Sequence, residues 1–161
     1  VQLIEREAAV DEIRLDTLRD RSWAEVHAAM QGALSDCAAD MSYLTEALLR
    51  HRALRNGVDL AGSVGALSEG RLAGFTLVGY GAWRGESAAF DAGTGILKAF
   101  RRQRLARKMF DSLERGLRAR STSGTPGWRL LGRGSGLSRP ACLIWHGWAR
   151  RRQANWPGRT A

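Results

Sequence analysis

The chain has 161 residues, of which 44% are hydrophobic and 25% charged, proportions that fit one globular domain with a single core. No apolar run approaches the roughly 18 residues of a membrane span, and the first residues lack the charged start, apolar core and small-residue cleavage site of a secretory leader, so a cytoplasmic protein away from membranes is expected. The net charge of +9 is uneven: residues 1–95 hold 9 Lys+Arg against 14 Asp+Glu, net −5, whereas residues 96–161 hold 16 against 2, net +14.

Residues 11–18, DEIRLDTL, alternate apolar and charged positions and predict a first strand. Asp20 or Ser22 then caps a helix, with Glu25 three residues after Ser22 as in a capping box, and Trp23, Val26, Met30, Ala33 and Leu34 form its apolar face. A second helix is expected over Ser42 to Leu54, with Tyr43, Leu44, Ala47, Leu48 and His51 inward and Asn56-Gly57 as its stop. Ala61–Ser68 and Arg71–Tyr80 are strands joined by Glu69-Gly70, a hairpin signal, and Trp83 to Glu86 make the next turn. His27, His51 and His146, like Cys37 and Cys142, are scattered without metal-like spacing, so no metal site is expected and the thiols are taken as free.

Ala88 to Leu97 carries one formal charge, Asp91, and runs through Gly93, Thr94 and Gly95, glycines that mark a bulge or a close-lying ligand. Ala106, Met109, Phe110, Leu113 and Leu117 fall at i, i+3, i+4, i+7 and i+11 and predict an amphipathic helix. Between strand and helix lie Arg101, Arg102, Gln103 and Arg104, followed by Arg107 and Lys108. A helix N-terminus with unpaired N–H groups and added cations can hold a phosphate. An ordinary strand-to-helix connection with a solvated basic face fits the same pattern.

The stretch GILKAFRRQRLARKMF resembles the acyl-CoA-binding motif of the GNAT superfamily of N-acetyltransferases, R/Q-x-x-G-x-G/A, which falls here on Arg101, Arg102, Gln103, Arg104, Leu105 and Ala106. The order of elements matches too, so the resemblance covers about residues 11–120. It implies an α/β fold with a GNAT-like mixed β-sheet flanked by helices, its C-terminal part divergent or incomplete. It also implies acetyl transfer from acetyl-CoA, a cosubstrate, to an amine acceptor. Arg104 stands at the usual glycine and Arg102 at a second position where glycine is common, and Arg at positive φ is strained.

By the same resemblance, backbone N–H groups of Ile96 or Leu97 would polarise the acyl carbonyl. The Gln103 to Ala106 amides with Arg101 would grip the diphosphate, and Arg107 or Lys108 would meet the outer phosphate. The sheet would splay beside this strand to admit pantetheine. Asp91 and Glu86 are the nearest candidates for a general base, although Asp91 also fits a structural carboxylate bonded to turn amides. The first two helices would form the acceptor wall, offering Trp23, Asp36, Asp40, Met41 and Tyr43; the acceptor is an amine-bearing small molecule or a peptide or protein. Oligomeric state is not legible.

Residues 1–120 are therefore taken as the GNAT-like region and 121–161 as a divergent basic tail. That tail holds 7 Arg, no Lys, Asp or Glu, and 4 of the 6 Trp. It lacks the N-x-x-A-x-x-L-Y-x-x-x-G-F stretch typical of the family, and no residue there is assigned the general-acid role. Two origins are expected to give such a composition: a shift of reading frame near residues 120–126, with Leu143 to Trp148 echoing a neighbouring frame, or a genuinely divergent C-terminus. The alternative function is a non-catalytic basic domain binding nucleic acid or a CoA-like nucleotide, with Arg150, Arg151 and Arg152 on phosphates and Trp145, Trp148 and Trp156 stacked on bases.

Overall fold

The computed structural model describes residues 12–36, 40–121 and 129–131. Two tight turns build its central hairpins. Glu69-Gly70 and Arg84-Gly85 all take positive φ, at 47°, 77°, 53° and 83°, the backbone of two-residue turns whose twist matches that of the flanking strands. They join β2 (Val64–Ser68), β3 (Arg71–Trp83) and β4 (Glu86–Ile96) into an antiparallel meander. With β1 (Arg14–Thr17) on one side and β5 (Arg129–Leu131) on the other, the sheet order is β1-β2-β3-β4-β5, and only β4 and β5 run parallel. The mixed sheet anticipated from the sequence is thus present, and residues 129–131 supply one of its strands from beyond Arg120.

Helices cover both faces. On the first, α1 (Trp23–Leu34) and α2 (Glu46–Arg55) bury Val26, Met30, Leu34 and Leu49 against Phe75, Leu77 and Ala92. On the second, α3 (Leu105–Ser121) buries Leu105, Met109, Leu113 and Leu117 against Val64, Ala66, Val78 and Ala89. Phe75 and Leu77 serve one face while Thr76 and Val78 serve the other, as the period of two along a strand requires. Ser22 caps α1 in a complete capping box with Glu25, as expected from the spacing.

The expected second helix needs correction. Asp40 accepts from the Ser42 N–H at 2.8 Å and the Ser42 hydroxyl at 2.9 Å, and the Leu44 N–H bonds to Met41 O. These bonds commit residues 40–44 to a turn, an arrangement Asp and Ser favour over helix interiors. The helix therefore starts after Thr45, whose side chain accepts from the Leu48 N–H. Its inward face is Leu49 and Ala53 with Leu48 partly buried beside them as expected, while Ala47 and His51 are exposed and Leu44 is buried ahead of the helix. Asn56 and Gly57, the latter at φ 64°, close it as expected.

Candidate active site at the end of β4

β4 carries a bulge where the glycines suggested one. Leu77 pairs with Gly93 and Val78 with Asp91, leaving Ala92 as the extra residue, and such an insertion bends its strand. β5 pairs only with Ala88 to Phe90. From Asp91 to Ile96, β4 therefore has a strand neighbour on the β3 side alone among the described residues.

Which backbone groups face that open side follows from one bond. The Leu97 N–H donates to Ala73 O at 2.9 Å, and in an antiparallel ladder successive residues point alternately toward and away from the partner. Ile96 and Thr94 thus direct their N–H groups away from β3. The Leu97 N–H, one of the two expected to polarise a carbonyl, is spent on the sheet.

Below the open side, on the α3 face, lies a small polar cluster. Asp91 Oδ1 accepts from the Gly93 N–H at 3.0 Å and lies 3.1 Å from Thr94 Oγ1, which is 3.1 Å from Thr76 Oγ1. Each hydroxyl has one proton to give, so a chain from Thr76 to Thr94 to the carboxylate satisfies all three. Burial pushes the Asp91 carboxyl above its ordinary value, against the Gly93 and Thr94 bonds that lower it. Sequence reasoning missed both threonines, although a polar residue inside the apolar run FTLV was a signal for Thr76.

After Ile96 the chain makes a 3-10 turn, Lys98–Phe100, and then reaches the arginines. Arg102 and Arg104 adopt φ of 66° and 57°, so the left-handed backbone favoured by glycine persists here with arginine in place. Both side chains are exposed, as is Gln103. The first hydrogen bond of α3 runs from the Lys108 N–H to Arg104 O at 3.0 Å. The N–H groups of Leu105, Ala106 and Arg107 precede any intrahelical partner and point out of the helix start. The Leu105 side chain is buried under the helix, Ala106 is half-buried, and Arg107 lies 4.0 Å from Asp111.

Arg101 does not face this turn. Its guanidinium meets Asp36 in two bonds, at 2.5 and 2.8 Å, and also donates to Ala33 O at 2.9 Å and, through Nε, to Ile96 O at 3.2 Å. The Arg101 guanidinium holds the Asp36 carboxyl down to about 2. Arg101 is expected from the sequence to grip a diphosphate; in this structure four of its donor contacts go to α1, Asp36 and β4. Asp36, expected on the acceptor wall, is paired with that guanidinium.

Glu86 sits at the opposite end of β4, beside the Arg84-Gly85 turn. Ten residues separate it from Ile96, about 30 Å along an extended strand, too far for a proton relay through one water. Of the expected acceptor wall, Met41 is buried, Asp40 is held in its turn, and Trp23 is half-buried on the first helical layer. Tyr43 is exposed with Arg52 5.8 Å over its ring. These residues lie on the α1 and α2 side, whereas the Asp91 cluster lies on the α3 face. His27 bonds through Nε2 to Leu44 O at 2.6 Å, a structural contact on the helix face. Among the described residues no three His, Cys, Asp or Glu side chains are grouped as metal ligands, and no helix is long and apolar enough to cross a membrane. Cys37, Cys142, His146 and the arginines and tryptophans of 132–161 lie outside the described residues.

A mixed sheet in which only β4 and β5 run parallel, with helices on both faces, is the arrangement this chain shares with solved acetyltransferase structures. The chain is similar to a GNAT family acetyltransferase of Brucella melitensis solved with acetyl-CoA, at 18% identity over 80% of this chain and 81% of that one, with a TM-score of 0.55. A ribosomal-protein-alanine N-acetyltransferase from Brucella melitensis biovar Abortus 2308 matches at 12% identity over 92% and 94%, TM-score 0.56. An aminoglycoside acetyltransferase from an uncultured soil metagenomic sample matches at 8% over 92% and 91%, TM-score 0.54. The chain has the GNAT N-acetyltransferase fold. No protein-family model and no curated protein matches its sequence.

Proposed function

We propose that the protein transfers an acetyl group from acetyl-CoA to an amine. The observation that carries this reading is the stretch of β4 from Asp91 to Ile96, which among the described residues is paired with β3 alone and ends at a turn where the first N–H groups of α3 precede any intrahelical partner. Solved GNAT structures that the chain resembles hold acetyl-CoA or CoA. The residues fit such a molecule in kind: Leu105, Ala106 and Arg107 amides for a diphosphate, with Arg102, Arg104 and Lys108 supplying charge. The outward N–H groups of Ile96 and Thr94 form a strand-like edge for the amides of a pantetheine arm.

Acetyl-CoA supplies an activated thioester; the chain has to orient it, polarise its carbonyl and accept a proton from the amine. Thr94 suits the polarising role better than Ile96, because its side chain is already bonded to Asp91, whereas Ile96 lies two residues, about 7 Å, farther along the strand. The amine would attack the carbonyl carbon, the carbon–sulfur bond would break with its electron pair leaving on the CoA thiolate, and the amine proton would pass to Asp91 directly or through one water, a second proton from solvent converting the thiolate to CoA thiol. A carboxyl raised by burial is a better proton acceptor than an ordinary one. Holding both reactants at one edge supplies most of the remaining advantage. The acceptor is an amine-bearing small molecule or a peptide or protein, a range matched by neighbours named for aminoglycosides and for a Gag peptide.

Calorimetric titration with desulfo-CoA tests this reading. Saturable binding that acetyl-CoA competes away supports it; binding of polynucleotide without binding of desulfo-CoA would instead favour a basic nucleic-acid domain.

A further inference from the structure

We infer that Arg101 is a positioning residue, a four-way clamp that fixes the end of β4 and the turn after it to α1, with Asp36 as its counter-ion. The inference deepens the proposed function and rests on it for its catalytic meaning. The peptide between Ile96 and Leu97 is held at both ends. Its carbonyl accepts from Arg101 Nε at 3.2 Å, and its N–H donates to Ala73 O at 2.9 Å. The same guanidinium takes Ala33 O in the last turn of α1 and both oxygens of Asp36 just beyond it. A cation suits that helix end, where carbonyls are unpaired and the dipole is negative. Only a planar five-donor fork can meet these acceptors together, so lysine is not an equivalent. Gly95 tightens the junction further, since a Cβ there would come within 2.9 Å of Ala33 Cβ. The exit of β4, and with it the aim of the edge amides and the start of α3, is thereby tied to the helix that borders the opposite face.

A clamp and a phosphate grip predict opposite responses to loss of Asp36. If Arg101 positions the turn, Asp36→Ala loosens it and weakens desulfo-CoA binding by about threefold to tenfold, in the same direction as Arg101→Ala. The double variant is then no worse than Arg101→Ala alone. If Arg101 instead grips the ligand, Asp36→Ala frees it from a competing carboxylate, and binding tightens. Tighter binding, or additive losses in the double variant, would overturn the inference.

Asp36→Glu should recover most of the loss and Arg101→Lys should not. Recovery by lysine equal to wild type would overturn the inference too. Amide hydrogen exchange supplies a readout independent of any ligand: at Leu97 it is expected to quicken about tenfold in both Asp36→Ala and Arg101→Ala. If the wild type binds no desulfo-CoA, the proposed function fails while this exchange result still decides the clamp. Unchanged Leu97 protection in both variants would sink it.

Discussion

Replacing Arg104 or Arg102 by glycine is expected to stabilise the protein, against the usual effect of introducing glycine. Both residues hold positive φ, 57° and 66°, and an L side chain in that region costs about 1–2 kcal/mol. Glycine removes that strain but loses more backbone entropy on folding, about 0.5–1 kcal/mol, so the net gain is about 0.5–1 kcal/mol at each site. Neither arginine has a hydrogen bond or ion pair among the described residues whose loss would offset the gain. For a chain of this size the gain corresponds to a rise in Tm of about 1–4 °C per site. Arg115, exposed on the right-handed interior of α3, is the matched control. Arg115→Gly should cost about 0.8 kcal/mol through lost helix propensity. The same replacement thus carries opposite signs at two places about one helix length apart, with φ as the deciding variable. Thermal unfolding of the three single variants measures this directly. A fall in Tm for both Arg102→Gly and Arg104→Gly, as large as that for Arg115→Gly, would refute the reasoning.

Other perturbations test other joints of the fold. Ser22→Ala removes the capping-box acceptor of the Glu25 N–H and is expected to cost about 1 kcal/mol in urea unfolding. Gly95→Ala places a Cβ 2.6 Å from Phe75 Cζ and 2.9 Å from Ala33 Cβ; overpacking of that kind costs about 1–3 kcal/mol, and a neutral result would show that the junction of β4 with α1 is looser than drawn. The two perturbed carboxyls move stability in opposite directions with pH. The depressed Asp36 contributes stability above its unfolded value that is lost as pH falls toward about 2, so Asp36→Asn should flatten the acid limb of a stability-against-pH curve. Asp91 is raised, so its folded form keeps its proton to higher pH and stability is lost as pH rises through the folded value. Asp91→Asn should therefore be at least as stable as wild type at pH 7, with the difference vanishing in acid, while acetyl transfer falls; a variant that is both destabilised and fully active would contradict its assignment.

The solved neighbours share 8–18% identity with the chain, so what carries over is the arrangement of backbone. That suits the proposed site, whose working groups would be mostly backbone amides. Edge N–H groups of a strand and the first N–H groups of a helix depend on φ, ψ and pairing, which many sequences can encode. The two arginines at left-handed positions illustrate the point: the turn keeps its backbone where the residue that makes it cheap is absent.

What the sequence determined by itself was local. Capping at Ser22, the two hairpin turns, the glycine-marked bulge and the apolar stripe of α3 each depend on residues within a few positions of one another, where propensity and periodicity act. The start of α2 lies beyond such patterns for a related reason, since the bonds of Asp40 to Ser42 compete with helix over a span too short for periodicity to register. Only the tertiary structure decided the partners. Arg101 and Asp36 stand 65 residues apart, and no spacing rule links a cation after one strand to a carboxylate after the first helix. The same holds for the Leu97 amide, committed to Ala73. A side chain's chemistry is written in its own codon, but which of several acceptors it meets depends on how distant elements pack, and that is set by the core as a whole.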